Sequence, residues 1–161
     1  MTLLEYNQCV NDFSDKIFRF ILKHIGHVEK AEDVVQDVFE KVWLKVDDIP
    51  FEKAKSYLFQ AAYNTMIDTI RKDKRIELKD ELNIHTAVSQ PDFGLKEALE
   101  MGLNQLPNIQ KSAVLLRDYE GYDYKEIGDI LNLNESQVKV YIFRARKNLR
   151  AFFIGKEKLV A

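Results

Sequence analysis

Two stretches of this chain carry side chains whose types and spacing suit contact with nucleic acid. Between positions 53 and 75 stand Tyr57, Phe59 and Tyr63 together with Lys53, Lys55, Arg71, Lys72, Lys74 and Arg75. An aromatic ring stacks on an unpaired base for ~1–3 kcal/mol while a neighbouring cation holds the backbone. An aromatic stripe at helical spacing also builds cores, and Phe59 is read that way. Tyr57 and Tyr63, with polar tips, suit a half-exposed place. Asn64 adds an amide able to read a base edge. Asp68 and Arg71 share its face, and a helix ion pair is the simpler use of Asp68. The second stretch holds Lys139, Phe143, Arg146 and Arg150 at helical steps, with Val140, Arg144 and Lys147 beside them. Seven basic residues face two acidic ones from 132 to 161, a local charge of +5, whereas residues 96–131 carry −3. Charge concentrated on one element is what a phosphate-binding surface requires. A basic helix by itself is equally a solvated face.

The elements that would position the second stretch are well punctuated. Pro107 suits a first helical turn and Gly121 a stop. Asp123 with Glu126 forms an Asp-x-x-Glu box that starts a helix running to Leu131. Asn132 can take the left-handed conformation at its end. Asn134 with Gln137 opens a third helix, whose Val138, Ile142, Ala145 and Leu149 form one apolar stripe. Two helices joined by a three-residue turn make a helix-turn-helix, whose second helix can enter a DNA major groove.

The rest of the chain reads as helix. Tyr6, Val10, Phe13, Ile17, Phe20 and Ile21 recur at helical steps up to Gly26. Residues 29–46 follow, with Ala31, Val34, Val35, Val38, Phe39, Val42, Trp43 and Val46 inward and Glu32, Asp33, Gln36, Asp37, Glu40 and Lys41 outward. Asp47-Asp48-Ile49-Pro50 breaks the pattern before a long helix at about 54–74. Periodicity fades from 76 to about 93, where Pro91 and Gly94 mark a polar linker. The expected architecture is all-helical, with a first domain over residues 1–75, a linker over 76–95 and a second domain over 96–161.

Composition bounds the possibilities. At 46% hydrophobic and 31% charged residues the chain is globular, and a net charge of −2 argues against a uniformly basic coat. Residues 51–75 carry +3 and residues 1–50 carry −4, so basic and acidic surfaces alternate. Cys9 is the sole cysteine, which makes a reducing compartment the default. The longest uncharged run, residues 56–67, is too short to span a bilayer, and no basic-then-apolar leader opens the chain. A cytoplasmic protein without membrane insertion is expected.

Three blocks resemble the sigma-70 family of bacterial transcription initiation factors. Ala31-Glu32-Asp33-Val34-Val35-Gln36-Asp37-Val38-Phe39-Glu40-Lys41-Val42-Trp43 resembles the family's second conserved region. Residues 54–75, with Tyr57-Leu58-Phe59 and Asn64-Thr65-Met66-Ile67-Asp68-Thr69-Ile70-Arg71, are similar to its promoter-melting and minus-10-reading segment. Residues 106–150, ending in Phe143-Arg144-Ala145-Arg146-Lys147-Asn148-Leu149-Arg150, look like its minus-35-reading domain. Two such domains in a short chain match the extracytoplasmic-function group.

The resemblance implies reversible binding to core RNA polymerase at its clamp coiled coil and flap, promoter-specific DNA binding, and DNA opening, with no catalysis and no cofactor. It assigns polymerase contact to Asp33, Gln36, Asp37, Glu40 and Trp43. The minus-10 role falls to Tyr57, Tyr63, Asn64, Asp68, Arg71 and Lys72. Base reading at minus-35 falls to Lys139, Val140, Phe143 and Arg144, with Arg146, Lys147 and Arg150 on phosphates. Lys139 or Arg144 suits guanine acceptors, and Val140 and Phe143 suit a thymine methyl. Val140 and Tyr141 stand where the family often has a small polar residue followed by a basic one, and Gln60 lacks a charge common at its place. An anti-sigma partner is also implied.

Three other classes compete. A pure interaction protein, such as an adaptor that holds polymerase without promoter choice, would have no need of the basic face from Lys139 to Arg150. A dimeric helix-turn-helix regulator would use residues 1–75 for sensing or dimerisation, but leaves the aromatic-basic helix without a task. An enzyme would need a site, and Cys9, His24 and His27 match no metal-ligand spacing. No glycine-rich phosphate loop or paired-cysteine motif is present.

Overall fold

A computed structural model describes residues 1–79 and 94–160, with side chains for 1–78 and 94–155. Most of the expected linker, residues 80–93, therefore lies outside the described residues. Among those described there is helix and no strand.

Helix α1 (Leu3–Ile25) starts at a reciprocal box, in which the Glu5 amide donates to Thr2 Oγ1 at 3.1 Å and the Thr2 amide to Glu5 Oε1 at 2.9 Å. It stops where Gly26 takes φ 70°, a conformation only glycine adopts without strain. Helix α2 (Val28–Leu44) is capped by the His27 ring, and two short 3-10 turns, Val46–Asp48 and Phe51–Lys53, lead to α3 (Ala54–Lys79). No glycine or proline occurs between Pro50 and Pro91, which is why α3 outlasts the expected end near position 74.

After residues 80–93 come α4 (Leu95–Asn104) and α5 (Asn108–Val114), which widens into a π-helical turn, Leu115–Tyr119. Gly121 at φ 74° turns the chain into α6 (Tyr124–Leu131), and α7 (Glu135–Val160) completes the fold. Both boxes expected here form. The Glu126 amide reaches Asp123 Oδ1 at 2.7 Å, and the Gln137 amide reaches Asn134 Oδ1 at 2.8 Å. Between them Asn132 sits at φ 57°, so α6 and α7 are the helix-turn-helix pair.

The inward face of α2 is narrower than its sequence suggested. Ala31, Val34, Val38 and Val42 are buried, but Trp43 is 45% exposed and Val35, Phe39 and Val46 are half-buried. Each residue turns the helix by about 100°. One stripe at three- and four-residue steps satisfies the core, and Trp43, directly after Val42, is rotated out of it.

The two helical units, α1–α3 and α4–α7, rest against each other. Helix α6 lies on α3, and Tyr122 packs edge-on against Phe59 with ring centroids 5.4 Å apart. Arg19 forms a two-pronged ion pair with Glu120 at 2.9 and 3.1 Å, and Lys55 pairs with Glu126. One hydrophobic core thus continues from Ile17 and Phe59 to Ile127 and Ala145.

Candidate nucleic-acid interface

The face of α7 that is not packed holds the minus-35 set. Val138, Ile142 and Ala145 are buried against α5 and α6, which turns Lys139, Val140, Phe143, Arg144, Lys147 and Arg150 to solvent. Phe143 is 68% and Val140 44% exposed. Large apolar side chains left in water on an otherwise basic face have no packing explanation and suit apolar contact with a base edge. Lys139 Nζ lies 5.3 Å from the centre of the Tyr124 ring, over which Arg117 also sits at 4.4 Å. Tyr124 therefore sets the direction of Lys139, a role that no local sequence signal announced. Arg146 is committed in this arrangement. Its guanidinium grips Asp118 at 2.6 and 3.2 Å, so a phosphate contact from Arg146 requires that pair to break.

The minus-10 set divides between two places. Tyr57, Asn64 and Asp68 line a groove of 440 Å³ between α2 and α3, joined by Gln60, by Lys41 of α2 and by Lys45 at its C-terminal cap. Neither lysine was assigned to the minus-10 set in sequence, because Lys41 stands on the neighbouring helix and Lys45 just past its end. Lys41 Nζ donates to Thr65 Oγ1 at 3.1 Å across the groove floor. Asp68 is exposed, and the ion pair expected with Arg71 does not form. Tyr63 is half-buried toward the other unit. Burial raises its phenol pKa above the usual value, against the lowering effect of the Arg71 charge, and Tyr141 of α7 raises it further. Arg71 and Lys72 are exposed, and Phe59 is fully buried, as its core reading required. Lys55, by contrast, is taken out of the basic block by its pairing with Glu126.

The polymerase set is brought together on the outer face of α2. Asp33, Gln36, Asp37 and Glu40 are exposed, and Gln36, Glu40 and Trp43 line a shallow apolar groove of 450 Å³ with Tyr6, Phe39 and Leu44. Tyr6 fixes its wall, donating to the Phe39 carbonyl at 2.9 Å and packing on Trp43 with centroids 5.0 Å apart. Cys9, His24 and His27 each have another contact. Cys9 packs on Met1, His27 accepts from the Lys30 amide at 3.2 Å, and His24 pairs with Ser112 at 3.1 Å.

Comparison with known proteins returns the same two units. Residues 9–76 match the family described as Sigma-70 region 2, and residues 96–149 match Sigma-70, region 4. The chain is similar to the ECF RNA polymerase sigma factor SigM of Bacillus subtilis (strain 168), at 32% identity over 160 residues, covering 95% of this chain and 96% of that one. It also resembles SigW of the same bacterium, at 25% identity, with 88% and 84% covered. Among solved structures, the sigma factor RpoE in complex with the anti-sigma factor NepR from Bartonella quintana superposes with a TM-score of 0.75, at 24% identity over 92% of this chain and 96% of that one. CnrH, solved with the cytosolic domain of CnrY, gives 0.70 at 22% identity, covering 93% and 88%.

Proposed function

The chain belongs to the sigma-70 family of RNA polymerase sigma factors, in its extracytoplasmic-function group, and on that premise we propose how its surfaces divide the work of starting transcription. The acidic and aromatic face of α2 docks on core polymerase. Charge on Asp33, Asp37 and Glu40 steers the approach, and the Tyr6–Trp43 groove supplies the apolar contact that holds it. The α2–α3 groove takes an unstacked base of the minus-10 element, with Tyr57 as stacking partner, Asn64 as edge reader and Lys41 and Lys45 on the backbone. The exposed face of α7 reads the minus-35 element. Lys139 and Arg144 donate to base edges, Val140 and Phe143 touch a methyl, and Lys147 and Arg150 hold phosphates.

The observation that carries this reading is the exposure of Phe143 and Val140 within a basic row on the second helix of a helix-turn-helix. Contact between α3 and α6 also implies a rearrangement. Elements centred near minus-35 and minus-10 lie about 25 base pairs apart, roughly 85 Å of duplex at about 3.4 Å per base pair, so two units in direct contact must part before both elements are read at once. The Tyr6–Trp43 groove further suits an anti-sigma partner, of the kind seen with RpoE, that competes with polymerase for α2.

Transcription with purified bacterial core polymerase on a promoter library tests the proposal. Start sites that appear only with this protein and share two spaced motifs are expected. Tight binding to a palindromic duplex without polymerase would instead identify a dimeric regulator.

A further inference from the structure

The seam between the two units encloses a cavity of 770 Å³ whose charge is one-sided. From α1 and α3 it is lined by Arg19, Lys23 and Lys74, and from α4 and α5 by Lys96 and Lys111, with Glu100 as the one carboxylate among the described lining residues. Arg19 is already neutralised by Glu120. The four lysines share only the Glu100 carboxylate, which acts on Lys111 at a distance. Among the described residues none of them pairs with a carboxylate.

Lys111 is the most demanding of them. It is only 4% exposed, and its ammonium finds neutral acceptors alone, the Lys23 carbonyl at 2.5 Å and Asn104 Oδ1 at 2.7 Å. Burial, and then the Lys23 charge, push its pKa down to about 8 against the opposing pull of Glu100. A buried cation beside a second cation is costly unless an anion joins them. The neighbouring Lys23 leans on the Tyr119 ring at 4.5 Å, and Lys74 and Lys96 stand at the open rim.

We propose that this cavity is a binding site for a small polyanion carrying two or more phosphates, held by Lys23 and Lys74 of the first unit and by Lys96 and Lys111 of the second. A multiply charged ligand is favoured because the cations approach from four helices, so one anionic group meets only part of them. Because each unit supplies half of the site, the ligand binds the closed arrangement better than the parted one. It therefore shifts the population toward closure. At a hundred times the dissociation constant, the closed-to-open ratio rises about a hundredfold. Such a ligand would restrain the protein from engaging a promoter. The binding claim stands on the cavity alone and does not depend on the promoter reading.

Calorimetric titration of the full chain with inorganic tripolyphosphate, and in a parallel arm with ATP, tests the site at fixed ionic strength. Saturable binding at one per chain is expected, weakened at least tenfold in the double variant Lys74→Gln/Lys96→Gln and retained in Lys147→Gln. Circular dichroism melting establishes that the variants are folded. Tighter binding of ATP would assign the site to a nucleotide, and equal binding to the phosphate chain itself. Loss in Lys147→Gln with none in the double variant would place the anion on α7 and overturn the proposal. Heat that follows ionic strength without saturation would overturn it as well.

Discussion

At the scale of single residues, side chains of the same type have different tasks because their neighbours differ. Arg144 and Lys147 both carry exposed positive charge on α7, the first proposed to read a base edge and the second to hold a phosphate. Arg144→Ala should lower discrimination at a single minus-35 position by ~1–3 kcal/mol, and Lys147→Ala should weaken binding to all sequences and flatten its salt slope. Filter binding to a set of single-base promoter variants at two salt concentrations separates the outcomes. Equal losses on every sequence would remove the division between base and phosphate contacts.

His24 gives a pH prediction. Burial, and then the Lys111 charge, hold its pKa down to about 3, and Ser112 of the other unit bonds its ring. A depressed histidine pKa means that the unfolded chain takes up protons first. Stability from this site is complete above the ordinary value near 6.5 and is lost as pH falls below it. The melting temperature should therefore drop from pH 7 to pH 5, and His24→Gln should reduce that drop. An unchanged pH slope in the variant would discharge His24 from the role.

At the scale of elements, the helix-turn-helix depends on one close approach and one cap. A Cβ placed on Gly128 would stand 2.5 Å from the Leu133 carbonyl oxygen, which is backbone and cannot swing away. Gly128→Ala should cost ~1–3 kcal/mol through this overpacking and displace α7 relative to α6. Asp123→Ala removes the acceptor of the Glu126 amide and should cost ~0.5–2 kcal/mol. Urea denaturation followed by circular dichroism measures both, and a neutral Gly128→Ala would contradict the geometry of the turn. The caps were legible in sequence because each is a local bond between residues three apart. The α7 stripe was legible for the same reason, since Val138, Ile142 and Ala145 repeat at the period of the helix. Gly128 carries no such signal, because its neighbour Leu133 approaches from beyond the end of the helix.

At the scale of the whole molecule, magnitudes decide what holds the units together. The Lys55–Glu126 pair is partly exposed and contributes at most about 1 kcal/mol, whereas Arg19 holds a Glu120 side chain that is only 5% exposed and would be left unpaired without it. Tyr122 is 7% exposed, packs on Phe59 and lies under Lys55 at 4.5 Å. Truncating a buried aromatic costs ~3–5 kcal/mol. Tyr122→Ala should therefore part the units and enlarge the radius of gyration in small-angle scattering, whereas Lys55→Met, at the more exposed pair, should leave it nearly unchanged. Equal expansion in both would mean that ion pairs, not apolar burial, dominate the seam.

The sequence by itself determined the helices, the boxes that open α6 and α7, the turn between them and the basic row on α7. Each is written in residues three or four apart, where the backbone alone decides who meets whom. The family resemblance rested on motifs of this local kind as well. Only the tertiary structure decided that Lys41 and Lys45 join Tyr57 and Asn64, that Tyr124 aims Lys139, and that Asp118 occupies Arg146. It also brought Lys23 and Lys111 together from positions 88 apart in the chain. Such meetings follow from which apolar faces bury one another, and no period or spacing along the chain encodes them.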